Sequence, residues 1–107
     1  MDDATAARVV LVVDDDYDCA DTIAMLLERL GAIVHVAYSG ESALEMLPQI
    51  LPDLVLLDIG MPGMDGCEAA RRIRAMTLPR PPMLVALTGW GRAEDRKRTA
   101  AAGFDAQ

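Results

Sequence analysis

Aromatic residues are scarce: the chain has one Phe, one Trp and two Tyr among 107 residues, although 52% of it is apolar. Ring stacking therefore cannot build the interior, and a core must come from Val, Leu, Ile, Ala and Met. Long apolar runs are missing too. Segments such as Val9 to Val13 stop at about five residues, where a membrane span needs roughly 18 to 20. The N-terminus, "MDDATAARVV", has neither a basic start nor an apolar signal core, so export is not expected. Positive charge is in deficit, with 10 Lys and Arg against 17 Asp and Glu and a net charge of −7. A non-specific nucleic-acid binder needs the opposite sign. The two cysteines, Cys19 and Cys67, are far apart with no CxxC. They are expected to be reduced thiols of a cytoplasmic protein, not a disulfide or a zinc site. The single histidine, His35, has no cluster around it and is expected to be an ordinary strand residue.

What the chain does have is alternation. "RVVLVV", residues 8 to 13, is a β-branched run suited to a strand buried on both faces. Ala20, Ile23, Ala24, Leu27 and Leu30 then recur at helical spacing up to Gly31. "AIVHVAY" predicts a second strand. Ser39 or Gly40 opens a helix over Ala43, Leu44 and Leu47, which Pro48 and Pro52 are expected to end. A third strand over Asp53 to Leu57 follows, then a helix from about Gly66 to Met76 with Ala69, Ala70 and Ile73 inward. "TLPRPP" is a turn, "MLVALT" a fourth strand, and a last helix runs from about Arg92 to Ala102. Four strand–helix repeats predict an α/β fold: a doubly wound parallel sheet with helices on both faces. Residues 1–7 form an N-terminal tail and 8–107 one domain.

In such sheets ligands bind beyond the carboxyl ends of the strands, where strand order reverses. The first strand runs into Asp14-Asp15, the third into Asp58 and the fourth into Thr88. Neighbouring carboxylates repel and raise one another's pKa unless a cation intervenes. Hard oxygen donors suit Mg²⁺ better than zinc. Asp16 alone reads as a helix cap. In "GMPGMDG", residues 60 to 66, glycine and proline make a sharp bend that would aim the Gly60 carbonyl at the cation, and Asp65-Gly66 starts the next helix.

With "VLVVDDD", "LVLLDIGMPGMDG" and "LVALTG" in this order, the chain resembles the receiver domains of bacterial two-component response regulators. The resemblance runs from about Arg8 to Gln107. It implies a flavodoxin-like sheet of order 2-1-3-4-5 and a phosphoryl group taken from a sensor histidine kinase or phosphotransfer protein. It makes Asp58 the phosphoacceptor, Asp15 a direct Mg²⁺ ligand and Asp14 the acid holding metal-bound water. Gly60 lends its carbonyl to the metal, and Thr88 contacts the phosphoryl group and moves on activation. The resemblance is compatible with a stand-alone regulator, with an output domain in a parent chain and with a hybrid kinase. The negative charge and the short apolar runs give no expectation of direct nucleic-acid contact or membrane insertion. The fifth strand and last helix, with the family's lysine, would fall past Gln107, leaving "MLVALT" with an unpaired edge. Gln107 falls where many relatives place an aromatic switch residue.

Two other readings belong to different classes. A haloacid-dehalogenase-type enzyme would use Asp14-x-Asp16 and "VALTG", but its residue after the second Asp and its later acidic motif are absent. A pseudo-receiver would bind proteins without taking phosphate. The arginines at 71, 72 and 74 and "RKR" at 96–98 read as a solvated helix face. Met61 and Met64 fit either loop packing or a partner's helix.

Overall fold

The structure, a computed structural model, describes residues 7–87 and 93–106, and of residues 93–96 the backbone alone. Four strands form one parallel sheet: β1 (Val9–Val13), β2 (Ile33–Ala37), β3 (Leu54–Asp58) and β4 (Met83–Leu87). Their order is β2-β1-β3-β4. The helices between them are α1 (Tyr17–Arg29), α2 (Gly40–Ile50), α3 (Gly66–Ala75) and α4 (Ala93–Ala102).

The alternation along β1 divides the core. Val10 and Val12 face α1 and pack with Ala20, Ile23 and Leu27. Leu11 and Val13 face the other way, onto Ala43 and Leu47 of α2, Cys67, Ala69, Ala70 and Ile73 of α3, and Ala102. The sheet is thus wound on both faces, as the uninterrupted apolar run predicts. Leu11, Leu57 and Leu84 are fully buried, each stabilising the fold by about 1.5–3 kcal/mol. Truncating Leu11 to alanine would remove about 2–5 kcal/mol.

Capping sets where helices begin. The side chains of Asp16, Ser39 and Asp65 accept the backbone N–H groups of Cys19, Ser42 and Glu68 respectively, each satisfying a donor that the first helical turn leaves free. α1 ends at Leu30, and Gly31 turns the chain at φ 97°, where a side chain would be strained. α2 departs from expectation by running through Pro48 to Ile50. Proline removes one N–H bond near the helix end, but buried Leu47 holds that turn on the core. Leu51 then closes it in the left-handed region at φ 46°, donating its N–H to the Leu47 carbonyl at 2.9 Å.

The outer edge of β4 also differs from expectation. Ala106 makes a parallel bridge to Val85. The Asp105 N–H donates to the Leu84 carbonyl at 2.7 Å, and the Ala86 N–H donates to the Ala106 carbonyl at 2.8 Å. The Asp105 carboxylate accepts both the Leu84 N–H and the Arg74 guanidinium. Arg74 in turn donates to the carbonyls of Gly103 and Pro82. Part of the edge expected to be bare is therefore paired, through a side chain that sequence spacing does not flag.

Candidate functional site

β1 and β3 are hydrogen-bonded neighbours, with Val13 in register with Leu57. One residue further along, each strand delivers an aspartate: Asp14 on one side and Asp58 on the other. β2 flanks β1 and β4 flanks β3, so this pair sits at the point where strand order reverses. Oxygens of Asp14, Asp15 and Asp58 lie within 4.8 Å of one another.

Local hydrogen bonds hold these acids in place. The Asp14 N–H donates to the Ala37 carbonyl at 3.1 Å, and its carboxylate accepts the Asp16 N–H at 3.0 Å. Asp16 is the cap of α1 that the sequence suggests, so the three consecutive aspartates divide their roles. Asp14 is buried, Asp15 exposed and Asp58 intermediate. Burial, with the Asp58 carboxylate next in effect among the causes that raise it, pushes the Asp14 carboxyl up to about 6, against the lowering effect of the Asp16 N–H. A cation beside such a group offsets both the cost of burying its charge and the repulsion from Asp58.

The loop after β3 is built around Asp58. Its Oδ1 accepts the Gly60 N–H at 3.0 Å, folding the carboxylate back over its own loop. Met61 is buried and Met64 packs on the core beside Gly40, so loop packing is their role here. Gly63 turns at φ 72°. At Gly66 a Cβ would collide with the Asp58 carbonyl and lie 2.6 Å from the Ile59 Cα. Only glycine lets α3 start this close to the strand end. Cys19 is exposed near the acids, and Asp16 foremost pushes its thiol up. Its thiolate is disfavoured, which makes it a poor nucleophile.

Of the expected site residues, the structure brings together Asp14, Asp15 and Asp58 and puts Gly60 against Asp58. Thr88 follows Leu87, the β4 residue in register with Asp58, and lies outside the described residues. So do Trp90 and Gln107.

The family model of the response regulator receiver domain matches residues 10–107. The chain belongs to the response regulator receiver domain family. A 14.6 kDa uncharacterised protein of Leptolyngbya boryana is 42% identical over 96 residues, covering 90% of this chain and 73% of that one. The N-terminal domain of a response regulator receiver protein from Methanoculleus marisnigri is similar at 35% identity and a TM-score of 0.83, over 92% of this chain and 80% of that one. The chemotaxis protein CheY4 of Vibrio cholerae matches at 26% identity and a TM-score of 0.89, over 94% and 84% of the two chains. The haloacid-dehalogenase alternative gives way to this match.

Receiver domains are the phosphoacceptor modules of two-component signalling and typically bind Mg²⁺ through acidic residues. This receiver domain carries such an acidic cluster. No helix among the described residues is long and apolar enough to cross a membrane.

Several contacts escape a sequence reading. Arg71 and Arg72 pair with Glu68 on their own exposed helix face, as a solvated surface would. Arg74 and Arg98 instead reach across the fold, to Asp105 and Asp65. Asp53 receives the Val9 N–H at 2.9 Å and so ties the starts of β1 and β3. Nothing in the spacing distinguishes these side chains from their solvated neighbours.

Proposed function

We propose that this receiver domain takes a phosphoryl group from a phosphohistidine on a sensor histidine kinase or phosphotransfer protein, onto Asp58. The observation that carries this is the meeting of Asp14, Asp15 and Asp58 within 4.8 Å at the reversal of strand order. A carboxylate oxygen of Asp58 attacks phosphorus in line; a P–O bond forms and the P–N bond to the donor imidazole breaks. The imidazole leaves with the bonding pair and takes a proton, and Asp58 becomes an acyl phosphate.

The donor set is all hard oxygen, and a raised Asp14 carboxyl suits a cation neighbour, so the residues fit Mg²⁺. Asp15, Asp58 and the Gly60 carbonyl would hold it directly, and Asp14 through water. When bound it supplies positive charge against the equatorial oxygens of the transferring group. Thr88, the next residue in sequence after Leu87, contacts the phosphoryl group and carries the change to the α4 side, where a partner or an output domain in a parent chain reads it. The domain assists its own modification and turns over no other substrate. Its place is the cytoplasm, beside its kinase.

Incubation with acetyl phosphate and Mg²⁺ tests this by intact mass. One phosphoryl adduct is expected, stable in acid and labile in base, and absent from Asp58→Asn. An undiminished adduct in that variant would sink the assignment, and no adduct in the wild type would favour a binding module that never takes phosphate.

A further inference from the structure

Among the described side chains of α4, those of residues 97–102, few are buried against the body. Among residues 97–102, only Thr99 and Ala102 are buried; the rest are exposed. Its described charged contact to the rest of the fold is Arg98, whose guanidinium donates to Asp65 Oδ2 at 2.7 Å. Asp65 is no ordinary surface acid. Its other oxygen accepts the Glu68 N–H at 2.9 Å and caps α3. The next residue, Gly66, has its backbone pressed against the Asp58 carbonyl and Ile59 Cα, and its N–H points to the Ile59 carbonyl at 3.4 Å. Asp58 itself holds this loop by accepting the Gly60 N–H.

These contacts form a continuous path. It runs from the Asp58 carboxylate through the loop backbone to the Asp65 cap, and across an ion pair to α4. A ligand on Asp58 Oδ1 competes with the Gly60 N–H and loosens the first link. The contact at Gly66 is too tight to absorb a shift of the Asp58–Ile59 backbone, so the cap moves with it. We infer that the Arg98–Asp65 ion pair is a latch that couples the position of α4 to the state of the Asp58 loop. The inference rests on phosphoryl transfer to Asp58 for the event that works the latch. Both partners are partly exposed, with side-chain exposures of 51% and 32%, and exposed pairs are weak. A weak tie suits a reversible bias on a two-state element, since a strong one would lock it.

Amide hydrogen exchange tests the latch in the unmodified chain. Arg98→Gln and Asp65→Asn each remove the charge pair, and Asn keeps a capping oxygen for α3. Each is expected to speed exchange of the α4 amides by roughly two- to five-fold. The double variant should match either single one, and Arg98→Lys should restore part of the protection. Additive effects, no acceleration, or an equal loosening of α3 in Asp65→Asn would overturn the latch. A second arm adds acetyl phosphate and Mg²⁺. Arg98→Gln should take the adduct on Asp58 normally, while the change in α4 exchange is at least halved relative to wild type. A normal adduct with a full α4 response overturns the coupling alone. An absent wild-type adduct overturns the phosphoryl reading and the coupling with it, while the first arm still reports whether the pair holds α4.

Discussion

Asp14 and Asp58, at the ends of adjacent parallel strands, interact closely enough that Asp58 helps drive the Asp14 carboxyl up to about 6, burial being the larger cause. Two acids in contact at a strand reversal store repulsion that a bound cation releases.

The raised carboxyl, a product of burial first and repulsion second, has a sign that stability measurements can read. A carboxyl raised from 3.8 to about 6 in the folded state keeps its proton where the unfolded chain has lost it. Its stabilising contribution is present below about pH 4 and is lost as pH rises through about 6. Asp14→Asn keeps an acceptor for the Asp16 N–H and removes the charge. In metal-free buffer at pH 7 it should be more stable than wild type, by up to about 3 kcal/mol. The gain should shrink toward pH 4. Urea denaturation across pH 4–8 checks both the size and the direction.

Mg²⁺ should act in the opposite sense, stabilising the wild type in proportion to occupancy. Asp15 is the exposed acid of the cluster and contributes little to packing, so Asp15→Ala should fold normally and lose that stabilisation. Trp90 follows Thr88 by two positions and is the single tryptophan. Its fluorescence should respond to millimolar Mg²⁺ in the wild type and stay flat in Asp15→Ala, with calorimetry agreeing.

Two glycines of the same loop should behave differently. Gly66→Ala drives a methyl into the backbone of Asp58 and Ile59 and should cost roughly 3 kcal/mol, as overpacking of a rigid contact does. Gly63→Ala meets nothing within 4 Å but sits at φ 72°, so its cost should be about 1 kcal/mol, from backbone strain alone. Denaturant midpoints of the two variants separate these causes. Comparable losses would mean that the tight start of α3 is more pliant than its geometry indicates.

The strand–helix order was legible because β1, β3 and β4 are short apolar runs that meet a polar residue at their carboxyl ends, and α1, α2 and α3 announce themselves with Asp16, Ser39 and Asp65. The acidic cluster was legible for the same reason: parallel strands place their ends side by side, so Asp14, Asp15 and Asp58 must converge. Pro48 misled because helix ends tolerate a lost N–H when packing holds the turn, a balance that local sequence does not record. The pairing of Ala106 with β4 was hidden because Asp105 and Arg74 resemble surface charges until the fold brings them together, 31 residues apart. Arg98 and Asp65, 33 residues apart, escaped on the same ground.

The identity of the modified atom is the most direct test. After acetyl phosphate and Mg²⁺, borohydride reduces an acyl phosphate of aspartate to homoserine, a change that peptide mass spectrometry reads at single-residue resolution. Phosphoryl transfer to Asp58 predicts homoserine at position 58 alone, with Asp14, Asp15 and Asp65 unchanged. Homoserine at 14 or 15, or at several aspartates without preference, would contradict it.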